Sequence, residues 1–166
     1  EVDALIKEAG LKRDQSDEAL ALLEQARALA PSHPGPLIAL YRFHFYGHAL
    51  DKARAVGEDA LAIARAALGP NFGDAPPDDD ALRHDPAVRF YLFTLKGLAY
   101  LSLRLGDFDE ARLMLAALRQ LDPKDHLGGA LLSHVLARRE AADTPDAVDP
   151  LSAYPVRGWS GNGAKL

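Results

Sequence analysis

Residues 92–125 read LFTLKGLAYLSLRLGDFDEARLMLAALRQLDPKD, the most regular part of the chain. It holds two runs rich in helix-forming apolar residues, separated by Gly106 and Asp107, and the second run stops before Pro123. Apolar residues recur every three or four positions in both runs, which predicts two amphipathic helices joined by a short turn. The stretch therefore predicts an antiparallel helical hairpin.

Small residues at a fixed spacing indicate that the hairpin is repeated. Ala19 and Ala26 recur as Ala53 and Ala60, 34 residues further along the chain. Such a period, with small side chains at fixed offsets, is typical of solenoids built from helix–turn–helix units. We find no convincing strand, so the sequence predicts an all-α chain with short antiparallel connections.

Helix start and stop residues, together with apolar periodicity, define seven helices. In the second helix we expect Ser16 at the N-cap and an apolar face formed by Leu22, Ala26 and Leu29. The predicted helices cover residues 2–13, 17–30, 36–47, 50–67, 86–105, 108–121 and 126–140.

Two segments depart from this pattern. Residues 69–85 contain three prolines, two glycines and an acidic run at 78–80, so we expect an irregular insertion loop, with a lid or docking element as the alternative. The acidic run lacks the ligand spacing of a calcium loop. After a helical domain of residues 1–142, residues 143–166 also contain three prolines and predict an extended tail. We expect residues 150–160 to pack on a helical face.

The hairpin at 92–125 resembles a tetratricopeptide repeat (TPR). Its turn, Gly106-Asp107-Phe108, matches the Gly-x-Tyr/Phe turn of that family, and small Ala99 and Ala111 stand where the family has small residues. The resemblance extends over about three units within residues 2–140. It implies a right-handed superhelical stack of antiparallel helix hairpins, in which the last helix acts as a polar-backed cap.

The middle unit keeps the TPR frame but departs from it in detail. Tyr41 stands where the family has Gly or Ala, and Gly57 stands where it has a bulky aromatic residue. We expect the Tyr41 ring to fill the space left at Gly57. His48 replaces the glycine of the turn.

The resemblance also implies a concave groove that receives a peptide or a helix. Its cations suit an acidic segment or a terminal carboxylate, and its aromatic residues suit apolar side chains. For each aromatic residue, simple core packing remains an open alternative. The implied groove residues are Ile38, Arg42, Phe45, Tyr46, Phe93, Lys96, Tyr100 and Arg104.

No catalytic chemistry emerges from the sequence. His44 and His48 have a spacing that can hold zinc, but no acidic residue stands beside them, so we expect a packed or surface pair. Ser133 and His134 are neighbours and would point apart on a helix. We expect a non-catalytic scaffold with no cofactor and no metal. The alternative is a small-ligand-binding or enzymatic helical protein.

Composition narrows the class of partner. The net charge is −5, so nucleic acid is not an expected partner. No apolar run approaches the roughly 18 residues of a membrane span, so no membrane association is expected. Cysteine is absent, which removes thiol chemistry and fits a cytoplasmic protein. We therefore expect a protein or peptide partner. The sequence decides neither its identity nor the oligomeric state.

Overall fold

The computed structural model describes residues 1–143. Within them the chain forms eight α-helices and no strand, which confirms the expected all-α class. The tail beyond Asp143, including the predicted packing of residues 150–160, lies outside the described residues. The helices are α1 (Val2–Leu11), α2 (Ser16–Leu29), α3 (Pro34–Tyr46), α4 (Leu50–Leu68), α5 (Asp79–His84), α6 (Pro86–Leu105), α7 (Phe108–Leu121) and α8 (Gly129–Asp143).

The segment of residues 69–85 differs from the expected irregular loop because it contains the short helix α5. The Asp78 carboxylate accepts a hydrogen bond from the Ala81 N–H at 2.8 Å, which caps the start of this helix. Leu82 is only 7% exposed and joins the core. The first residue of the acidic run therefore serves as a helix cap.

The second helix corrects two details of the sequence analysis. Ser16 is the first residue of α2 and Gln15 precedes it, so the predicted Ser16 N-cap is wrong. The buried positions of α2 are Ala19, Leu23 and Ala26, and Leu29 is 49% exposed. Of the expected face, Ala26 is buried and Leu22 packs partly buried against the core, whereas Leu29 does not belong to the inward face.

The alanines that mark the repeat are all buried. None of them exposes more than 4% of its surface, as expected where helices cross closely. They are Ala19, Ala26, Ala53, Ala60, Ala99 and Ala111.

Two turns close in the same way. Gly106 follows α6 with φ +82°, and His48 stands in the turn after α3 with φ +61°. In each turn an N–H donates to a carbonyl five residues earlier at 2.8 Å, from Asp107 to Ser102 and from Ala49 to His44. This bond belongs to the Schellman closure of a helix. His48 thus occupies the left-handed position that a turn glycine would fill, as the sequence predicted.

Each helix packs mainly on its neighbours along the chain. The pairs α1–α2, α3–α4 and α6–α7 form hairpins. Helices α2 and α4 also pack on the first helix of the next hairpin, and α7 packs on α8. In addition, α1 packs on α3 and α6 packs on α8. By contrast, α3 and α6 both lie on α4 but make little direct backbone contact with each other. A groove therefore opens between them.

The buried apolar residues form three clusters that follow one another along the chain. The first joins α1 to α4, the second lies around α5, α6 and α7, and the third joins α6, α7 and α8. Within residues 1–143, none of the helices has the length and apolar character needed to cross a membrane.

Candidate functional site

The groove between α3 and α6 encloses about 740 Å³. Gly57 and Ala60 of α4 contribute to its floor, and Arg83 and His84 of α5 border it. Small residues on the floor leave room between the two wall helices. The apolar walls are formed chiefly by Leu37, Ile38, Tyr41, Phe90 and Phe93.

Tyr41 spans the groove at its inner side. A Cβ at Gly97 of α6 would lie 2.8 Å from the Tyr41 hydroxyl oxygen, so the tip of the ring occupies the space of the missing side chain. Tyr41 Cδ2 also lies 3.6 Å from the position of a Cβ at Gly57. The expected contact with Gly57 is confirmed, although Leu98 approaches that site more closely, at 2.7 Å. Burial raises the pKa of the Tyr41 hydroxyl.

Two large apolar side chains remain accessible in the groove. Ile38 of α3 is 44% exposed and Phe93 of α6 is 49% exposed. Both line the groove, one from each wall. The groove thus offers an unfilled apolar surface on both sides.

The rim of the groove is cationic. Arg42, Arg83 and Arg89 line it from α3, α5 and α6, and the lining residues include no carboxylate. Arg89 donates from Nη1 to the Leu82 carbonyl at 2.8 Å, and its guanidinium lies 5.2 Å from the centre of the Phe93 ring. This surface is positive although the chain carries a net charge of −5.

The eight predicted groove residues lie in three different places in the structure. Ile38, Arg42 and Phe93 line the groove, as described above. Lys96 instead donates from Nζ to the Leu127 carbonyl at 2.5 Å, so the turn before α8 already binds its ammonium group.

The other four predicted residues form an aromatic group outside the groove lining. The Phe45 ring lies 5.2 Å from Tyr46 and 6.0 Å from Tyr100, between ring centres. Arg104 donates to the Tyr100 hydroxyl at 3.0 Å. Tyr46 is 69% exposed, so this group is accessible. It adjoins the groove, because the Phe45 ring stacks on Tyr41 at 6.1 Å between ring centres.

The sequence analysis did not predict several residues that line the groove, although the sequence contained a signal for two of them. Arg89 and Phe90 precede Phe93 by four and three residues, so helical spacing places all three on one face. Arg83 had no such signal, because it lies on α5, in a segment expected to be irregular. Tyr41 was assigned to packing and not to the groove.

His44 is a packed side chain. It is 7% exposed, and its ring lies edge-on to Phe43 at 5.4 Å between centres. Burial lowers its pKa, and nearby Lys52 adds to this effect. Across the described part of the chain, no three His, Asp or Glu side chains gather where they could hold a metal ion.

One curated relative emerges from comparison with known proteins. The chain is 36% identical over 124 residues to an uncharacterized 19.8 kDa protein in the nifW 5′ region of Azotobacter chroococcum mcd 1. The match covers 72% of this chain and 70% of that protein. The chain belongs to the same family as that protein. No family model matches the chain, and no solved structure matches it significantly.

Proposed function

We propose that this chain is a non-catalytic interaction module that binds a segment of another protein in the groove between α3 and α6. Ile38 and Phe93 provide the main support, because both expose nearly half of their surface in an apolar groove. Exposed apolar surface with a polar rim is typical of sites that bind a partner. We place this activity in the cytoplasm.

The arrangement of the helices supports a TPR-like stack. Hairpins follow one another, alanines lie at the buried crossings, and two turns share one Schellman closure. In this proposal, α3 and α6 are the first helices of successive units, the stack is right-handed, and α8 caps it. The groove then lies where the resemblance to TPR proteins implies a bound peptide.

The aromatic group outside the groove extends the proposed surface. Tyr46 and Arg104 are exposed. Tyr46 contacts Phe45 directly, and Tyr100 connects Arg104 to Phe45 and so to α3. Exposed aromatic and arginine side chains are common among residues that contribute most to binding a protein. A long bound segment would therefore contact both surfaces.

A small apolar ligand is the second candidate. The cavity of about 740 Å³ falls within the range of about 300–1,000 Å³ that is usual for small-molecule sites. The name of the curated relative gives the position of its gene, which identifies no ligand for either candidate.

Capture of partners by matched variants tests the proposed function. The groove variant is Ile38→Asp with Phe93→Asp, and the control is Leu113→Asp with Leu131→Asp. The control leucines lie on α7 and α8, are 68% and 70% exposed, and are not groove residues. We expect at least one protein from a lysate of the source cells to be retained by the unaltered chain and the control but lost from the groove variant.

Two results would contradict the proposal. Identical sets of captured proteins for all three forms would remove the groove as the binding site. The second result is that no protein is captured and native mass spectrometry finds a small molecule bound to the unaltered chain but not to the groove variant. It would favour the small apolar ligand.

A further inference from the structure

The chemistry of the groove also restricts the kind of segment that can bind. Resting on the proposed function, we infer that the partner is an acidic amphipathic segment of another protein, with bulky apolar side chains flanked by carboxylates. Apolar walls supply the surface for its apolar side chains, and the cationic rim supplies partners for its carboxylates.

Three different helices contribute the cations of the rim. Arg42 comes from α3, Arg83 from α5 and Arg89 from α6. Since α3 and α6 form opposite walls, a segment that places its apolar side chains between them meets a guanidinium on either side. Guanidinium groups bind carboxylates through paired hydrogen bonds, which favours acidic residues at both flanks of the segment.

The chain does not neutralise this rim with its own nearby carboxylates. Asp85 stands closest in sequence, and its Oδ1 accepts hydrogen bonds from the N–H groups of Ala87 and Val88 at 3.0 and 3.2 Å. Asp79 pairs with Lys124 at 3.2 Å, on the turn between α7 and α8. Asp78 caps α5. Three of the acidic residues around α5, Asp78, Asp79 and Asp85, therefore serve helix ends and a distant lysine.

The arginines retain hydrogen-bonding capacity for a ligand. Arg42 and Arg83 are exposed, and no carboxylate of residues 1–143 lies within ion-pair distance of either. Arg89 uses one nitrogen for the Leu82 carbonyl, and a guanidinium has five N–H donors. Its position over Phe93 also holds it at the edge of the apolar surface.

A peptide-display selection tests this inference directly. A library of random 16-residue peptides is selected on the full chain at low salt. We expect the recovered peptides to be enriched in Asp and Glu together with Leu, Ile, Phe and Trp. Their affinity should fall with increasing salt, because exposed charge pairs are screened.

A charge-reversed variant with a matched control locates the contacts. Arg42→Glu with Arg83→Glu should weaken binding of the selected peptides at least tenfold, which is about 1.4 kcal/mol. The control, Arg119→Glu with Arg138→Glu, changes two exposed arginines of α7 and α8 that do not line the groove. It should bind as the unaltered chain does. Peptides with Lys in place of Asp and Glu should recover binding to the Arg42→Glu/Arg83→Glu variant. Circular dichroism melts check that this variant and its control both fold.

The outcomes separate this inference from the proposed function. One outcome would overturn the charge inference alone. In it, the selected peptides show no acidic enrichment and bind the Arg42→Glu/Arg83→Glu variant unchanged, but they do not bind the Ile38→Asp/Phe93→Asp variant. Peptides that bind that apolar variant unchanged, or a selection that recovers none, would overturn both.

A crosslinking experiment distinguishes a bound peptide from other occupants of the groove. The chain contains no cysteine, so Thr94→Cys at the groove gives a single site for a photoreactive maleimide. With selected peptide present, we expect crosslinks to the peptide. Crosslinks that persist instead to residues 144–166 of the same chain, or to a second copy, would show that the chain itself fills the groove and would overturn the inference.

Discussion

At the scale of single residues, His48 holds a backbone conformation that costs free energy. Its φ of +61° lies in the left-handed region, which L-residues other than glycine adopt at a cost of roughly 1–2 kcal/mol. Gly106 adopts the same region, with φ +82°, in the turn between α6 and α7. The fold thus requires this conformation in both turns, although glycine holds the left-handed position in only one of them.

We expect His48→Gly to stabilise the protein by about 1 kcal/mol, because glycine adopts a positive φ without strain. The reverse change, Gly106→Ala, should destabilise it by about the same amount. Urea denaturation of both variants and the unaltered chain measures the free energy of unfolding. A His48→Gly variant that is less stable than the unaltered chain would show that the imidazole contributes more than the strain costs.

The buried imidazole of His44 predicts a dependence on pH. Its pKa lies below the usual 6.5 because of burial and Lys52, with Glu24 acting in the opposite direction. The unfolded chain therefore binds this proton more tightly than the folded chain. The stability that His44 contributes is complete above pH 6.5 and is lost as the pH falls through 6.5 towards the lowered pKa of the folded state.

We expect the free energy of unfolding to decrease between about pH 7 and about pH 5, and to decrease less in His44→Gln. Urea denaturation at the two pH values measures the difference. Exposed His134 supplies the control, since His134→Gln should follow the unaltered chain. The same pH dependence in all three proteins would exclude His44 as its source.

At the scale of elements, the hairpin of α6 and α7 depends on close packing of small side chains. Ala99 and Ala111 expose no surface and belong to the same core cluster. We expect Ala111→Leu to cost about 1–3 kcal/mol, because the larger side chain overpacks the helix crossing. Ala116 lies exposed on the same helix, so Ala116→Leu should change the thermal midpoint little. Equal midpoints for the two variants would mean that Ala111 does not face α6.

The elements that the sequence predicted well are those with long periodic patterns. The predicted ranges 86–105 and 108–121 agree with α6 and α7 to the residue. Helix α5 was not predicted, because six residues are too short to show a period. Tertiary contacts hold it instead, through the buried Leu82 side chain, the bond from Arg89 and the ion pair between Asp79 and Lys124.

At the scale of the whole molecule, the sequence predicted which helices are adjacent but not how widely they separate. Repeat spacing predicted the buried alanines, and three of the eight residues implied by family resemblance line the opening between α3 and α6. Across the groove the Tyr41 ring meets Gly97, a contact between residues 56 positions apart in the sequence. Periodicity within a helix carries no information on such a contact. Only the structure therefore shows that the predicted site residues divide between the groove and the aromatic group beside it.

The packing of each helix on its neighbours in sequence has a consequence for how fast the chain folds. Contacts between residues that are close along the chain form with little loss of loop entropy. Proteins dominated by such local contacts fold in microseconds to milliseconds, whereas those that pair distant segments take far longer. Because the hairpins of residues 1–143 close locally and dock mainly in chain order, we expect this chain to fold at the fast end of that range.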